Sequence, residues 1–129
     1  MATVNESVES TDGWLRTVVW GPLTSTNVDG RWYFCGRYTD SSVQISGTWG
    51  GATVVVQGTN EVGTPADPLT LTSANDTDSL SFTGAGRRLR QILETVNQIR
   101  PLLSGGDGTT SLTVRVKLTA ATQFWRAQE

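Results

Sequence analysis

Apolar and polar residues alternate with a period of two along most of this chain. In 14–20, Trp14, Arg16, Val18 and Trp20 share one side of an extended strand and Leu15, Thr17 and Val19 the other. Gly21-Pro22 is expected to stop that strand. Residues 31–38, Arg-Trp-Tyr-Phe-Cys-Gly-Arg-Tyr, read as an aromatic strand. Val43, Ile45 and Trp49 alternate with Gln44, Ser46 and Thr48. Gly50-Gly51 then predicts a tight hairpin turn, with a return strand over Ala52–Gln57. Short strands are expected near Leu69–Thr72 and Leu80–Thr83. After a turn at Gly105–Gly108, Leu112, Val114, Val116 and Leu118 face one way and Thr113, Arg115, Lys117 and Thr119 the other.

Two periods compete over residues 87–103. Leu89, Ile92, Leu93, Val96, Ile99 and Leu103 fit helical spacing, but Pro101 forbids a helix through to the turn. A short helix or bent segment within 87–96, then a strand near 98–104, meets both signals. The total is seven or eight short strands. That predicts an all-β, single-domain β-sandwich of jelly-roll type. The expected boundaries are a flexible, polar and acidic N-terminal arm over 1–13, the sandwich over 14–122, and a tail over 123–129. No period of 20–50 residues marks a solenoid.

The chain has 129 residues, which suits one domain with its own core. Only 17% of residues are charged, so Thr, Ser, Asn and Gln must carry much of the surface. Charge is uneven. Residues 1–80 carry three arginines against nine acids, net −6; residues 81–129 carry six arginines and one lysine against three acids, net +4. Such polarity suits packing between copies or docking on a partner of mixed charge. It equally describes an unevenly sampled solvated surface.

No histidine is present, which removes the commonest general base and metal ligand. The single cysteine, Cys35, excludes an internal disulfide, and its aromatic surroundings predict a buried thiol. Twelve acids offer many carboxylate pairs, but most lie in predicted turns. Asn75-Asp76-Thr77-Asp78 lacks the other ligands of a calcium loop and reads as a turn. Gly84-Ala85-Gly86 lacks the rest of a phosphate cradle. No catalytic residue, cofactor or metal is therefore expected, and the chain reads as not an enzyme. Nothing in 1–13 resembles a secretion signal, and no apolar run spans a membrane.

The five tryptophans are many for so short a chain. Trp49 falls on a core face. Trp14 and Trp20, sharing a face with Arg16, are expected half-exposed, and Phe124 and Trp125 lie in a polar tail. Aromatic and arginine residues concentrate at interface centres. Trp14, Arg16, Trp20, Arg87, Arg88, Phe124 and Trp125 are thus the expected contacts to other subunits, with the N-terminal arm and Phe124-Trp125 ordering on neighbours. The competing reading is sugar stacking by a carbohydrate-binding module. For Arg87, Arg88 and Arg90, a protein partner is preferred over nucleic acid because the chain is acidic overall.

Three stretches carry a resemblance: Ser42 to Glu61; Leu80-Ser81-Phe82-Thr83-Gly84-Ala85-Gly86 with Gln98-Ile99-Arg100-Pro101; and Ser104 to Val114. Together they resemble small virion proteins of tailed phages, most nearly the capsid decoration (cement) proteins of short-tailed phages. The likeness covers roughly residues 40–118, in sheet and turn residues. Residues 31–38 and 115–129 lie outside it. It implies a β-rich, often trimeric subunit on the capsid exterior that clamps major capsid protein subunits, made in the bacterial cytoplasm. It implies neither nucleic acid nor membrane as partner and brings no catalytic residues. A carbohydrate-binding or adhesion module, or a neck or tail component, would serve the same features.

Overall fold

The computed structural model describes residues 2–11, 15–85 and 88–120. Among them are ten strands and no helix: β1 (Glu6–Thr11), β2 (Leu15–Leu23), β3 (Tyr33–Phe34), β4 (Asp40–Thr48), β5 (Ala52–Thr59), β6 (Leu69–Thr70), β7 (Ser81–Phe82), β8 (Leu89–Ile92), β9 (Gln98–Gly105) and β10 (Ser111–Thr119). They form two antiparallel sheets, ordered β1-β2-β10-β4-β8 and β3-β9-β5-β6, with β7 also paired to β5. The molecule is an all-β sandwich.

The alternation builds its core. Val18 and Trp20 from β2, Val43 and Ile45 from β4, and Leu112, Val114, Val116 and Leu118 from β10 are buried on the first sheet. Ala52, Val54 and Val56 from β5, Phe82 from β7, and Ile99 and Leu103 from β9 are buried on the second. Two inward-facing apolar rows leave each other no option but to pack, and each fully buried Val, Leu or Ile contributes about 1.5–3 kcal/mol.

Several expectations need correction. Residues 6–11 of the expected arm form edge strand β1, paired along β2 from Glu6 opposite Trp20 to Thr11 opposite Arg16. Residues 6–11 thus order on their own chain. Ladder hydrogen bonds need no large side chains, so the lack of apolar residues did not prevent a strand. Two ion pairs bind it further: Glu6 to Arg31 at 2.8 Å and Glu9 to Arg115 at 3.2 Å. Nor does β2 stop at Gly21-Pro22. It continues through this cis peptide to Leu23, beyond the last β1 pairing and where the β10 ladder skips a residue.

The aromatic strand shrinks to Tyr33–Phe34. The expected helix within 87–96 is absent from the described residues there. Leu89–Ile92 is strand β8, with Arg90 and Ile92 turned inward and Leu89 and Leu93 exposed at 54% and 55%. A four-residue strand satisfies both periods, and the β4 edge decides between them. Pro101 sits inside β9 because its carbonyl accepts from Gly30 N (2.9 Å). In a strand the missing N–H points to that same side, where only an isolated bridge adjoins.

The Gly50-Gly51 turn exists, closed by Ala52 N–H to Trp49 O at 2.9 Å, but it does not make a hairpin. β4 and β5 belong to opposite sheets, so the turn carries the chain across the sandwich. The β9–β10 connection crosses beside it, and Thr110 Oγ1 donates to Trp49 O at 2.9 Å to join the two crossings. Trp49 is half-buried against the core, and its ring lies over Gly84, where a Cβ would collide with it.

Candidate interaction surface

Strand register fixes which residues share the end of the sandwich opposite these crossings. In the first sheet Thr119 pairs with both Leu15 and Asp40, and Ser41 with Ile92. In the second, Gln98 pairs with Thr59 and Phe34. Cys35 N donates to Asn97 O (2.7 Å), Tyr38 N to Cys35 O (3.0 Å) and Thr39 N to Thr119 O (2.9 Å), which ties the two sheets together at this end.

Large apolar side chains are left in solvent here. Phe34 is 63% exposed, Val62 87%, Leu69 63% and Leu93 55%; of the six large hydrophobics exposed among the described residues, only Val8 and Leu89 lie elsewhere. Their loops are held by dense hydrogen bonding. The Glu61 carboxylate accepts from the backbone N–H groups of Ala66 and Asp67 and from Thr59 Oγ1, at 3.0–3.2 Å. Those backbone bonds, Asp67 first, hold its pKa below the usual carboxylate value. Gln98 Nε2 donates to Glu61 O (3.0 Å) and Gly63 O (2.8 Å). The Glu94 carboxylate accepts from Thr72 N and Oγ1, both at 2.8 Å, and anchors the loop bearing Leu93. Exposed apolar groups on fixed loops mark interaction sites more than isolated ones do.

The expected contact residues divide. Arg16 lies at this end, where Nη1 donates to Tyr33 Oη at 2.8 Å and links the sheets; that bond raises its pKa. Its buried Nε finds no partner among the described residues. Trp14, Arg87, Phe124 and Trp125 lie outside the described residues. Trp20 is not half-exposed. It is fully buried, its Nε1 donating to Arg31 O at 2.9 Å, because its strand face is the inner one. Arg88 sits toward the crossings and donates to Gly84 O at 3.1 Å. Arg90 turns inward over Phe82 and pairs with Asp76 at 2.6 Å, so Arg88 and Arg90 form no common patch.

Phe34, Val62, Leu69 and Leu93 were not singled out from the sequence. Val62 carried a signal, a lone aliphatic residue in a polar Gly- and Pro-containing loop. Leu93 was masked by its place in the helical period.

The remaining chemistry is sparse. Burial pushes the Cys35 thiol up to about 12, so it is protonated at neutral pH. Asp76 in the 75–78 turn accepts from Asp78 N at 3.1 Å as well as from Arg90. Among the described residues no three His, Cys, Asp or Glu side chains are grouped to hold a metal, and no helix is long and apolar enough to cross a membrane. A groove of about 630 Å³ lies on the outer face of the first sheet, bordered by Asp40, Ser42, Leu89, Gln91, Lys117 and Thr119.

The fold and this end define a two-sheet antiparallel β-sandwich that presents apolar side chains at one end. Among solved structures it is similar to the SPBc2 prophage-derived protein YomS, with 14% identity, 87% of this chain and 100% of that chain covered, and a TM-score of 0.60. That likeness establishes a shared fold. Weaker likenesses are to a cupin domain from Bordetella pertussis Tohama I (8% identity, 93% and 97% covered, TM-score 0.46) and to IMPa from Pseudomonas aeruginosa (17%, 88% and 13%, 0.43). No family model and no curated protein matches the chain.

Proposed function

We propose that this chain is a non-enzymatic structural protein of a tailed-phage particle, bound to the outside of the capsid, where it stabilises contacts between major capsid protein subunits. The observation that carries this reading is the gathering of Phe34, Val62, Leu69 and Leu93 at one hydrogen-bonded end of the sandwich. A rigid apolar end gains free energy by being covered and requires no catalytic group. The sequence resemblance to capsid decoration proteins supports the phage setting. The fold shared with a prophage-derived protein is consistent with it.

Binding of this kind stabilises an assembled shell by linkage, because the protein has affinity for the assembled state alone. Several copies acting together multiply weak contacts. The sugar-stacking reading loses support among the described residues. Trp20 is buried, Trp49 packs against the core, and Trp32 lies under the Arg100 guanidinium at 4.7 Å, so no row of open rings remains there.

The test is location. Antibody raised against the purified protein should label the shells of intact particles, with the protein present in their mass spectra. Labelling confined to the neck or tail moves the role to a connector, and absence from the particle overturns the reading.

A further inference from the structure

We infer that the groove on the outer face of the first sheet receives residues 121–129 of a second copy of this chain, with Phe124 and Trp125 as the anchoring side chains. The groove floor is a row running across three strands: Lys117 on β10 lies opposite Ser42 on β4, which lies opposite Gln91 on β8. Thr119 and Asp40 pair at its outer rim, and Leu89, 54% exposed, supplies an apolar wall. Its volume of about 630 Å³ lies within the roughly 300–1,000 Å³ range of sites that enclose a ligand.

Three observations select the occupant. The first is place: β10 ends at Thr119 on the groove's own rim, Ala120 and then residues 121–129 follow it, and nine residues can span about 30 Å when extended. The second is direction. Thr119 to Phe124 reads Thr-Ala-Ala-Thr-Gln-Phe, without the Gly, Pro, Asn or Asp that a tight reversal back into its own groove favours, which favours another copy's groove. The third is chemistry. The segment carries Phe124 and Trp125 for the Leu89 wall and for Lys117, the chain's one lysine, and Arg126 for Asp40. Lys117 has no ion pair among the described residues.

A tail on one surface entering a groove on another is a heterologous contact, which closes into a ring when the rotation allows. The contact deepens the proposed role by making the structural unit an oligomer. Its test needs no capsid, so either idea can fail without the other.

Sedimentation velocity decides it, on the full chain. The wild type should sediment as an oligomer. A Phe124→Ala/Trp125→Ala double variant and a Leu89→Asp variant should each sediment as monomers with unchanged circular dichroism. Ser42→Arg serves as a second groove variant should Leu89→Asp fail to fold. Mixing the tail variant with a groove variant should restore a one-to-one pair at twice the monomer mass, since each supplies what the other lacks. A monomeric wild type overturns the inference, including one whose Trp125 emission changes with Leu89→Asp, which would mean the chain fills its own groove. So does a tail variant that sediments like the wild type, or a mixture that stays monomeric.

Discussion

Trp20 has no exposed surface, and its indole N–H is used by Arg31 O, so its removal leaves both a cavity and an unpaired carbonyl. Trp20→Ala should cost about 3–5 kcal/mol, read from urea denaturation. The sequence revealed that Trp20 lies on the same strand face as Val18, but not which face looks inward, because β2 carries apolar residues on both. Glu6, Glu61, Asp76 and Asp107 all have lowered pKa values. For Glu6, burial opposes the charge, but the Arg31 pair outweighs it; for Glu61 and Asp76 backbone N–H groups lead; for Asp107 the Thr109 hydroxyl leads. A carboxylate with a lowered folded pKa contributes stability that is present above its unfolded pKa, about 4, and is lost as pH falls through the folded value. With no histidine to titrate, stability followed by thermal melts should be flat from about pH 5 to 8 and decline below about pH 4. The Cys35 thiol should resist a disulfide reagent until the protein unfolds.

At the scale of elements, alternation was readable wherever a strand has one dry face: β4, β5 and β10 fall where the pattern places them. Pairing was not readable. A glycine pair between two alternating strands looks the same whether it closes a hairpin or crosses a sandwich, since both keep the apolar rows facing a core. Gly50 has φ +57°, and a Cβ there would meet Asp107 and Thr110 from the adjacent crossing. Gly50→Ala should therefore cost more than about 1 kcal/mol, measured by chemical denaturation. The edge strand β1 was hidden for another reason: its stability comes from main-chain bonds and from Glu6 and Glu9, which composition alone assigns to a loose arm. Hydrogen exchange should find β10, central in its sheet, among the most protected strands and β1 exchanging through local opening.

For the molecule as a whole, composition pointed to an interface of rings and arginines, and folding redistributes them. Trp20 goes to the core, Arg90 to an internal pair, and Arg88 toward the crossings, while Phe34 on β3, Val62 and Leu69 at the β5–β6 connection, and Leu93 after β8 emerge at one end. No local pattern marks such a surface, because it exists only after the sheets stack. Since these four side chains face solvent, polar replacements should barely change the fold's stability, as surface substitutions commonly shift it by within about 0.5 kcal/mol. For the proposed capsid role, the most direct test is co-sedimentation of the purified protein with tailed-phage shells that lack it, comparing the wild type with a Phe34→Ser/Val62→Ser/Leu93→Ser variant of equal melting temperature. The wild type should pellet with the shells and the variant should stay in the supernatant. Equal pelleting of both, or of neither, would contradict it.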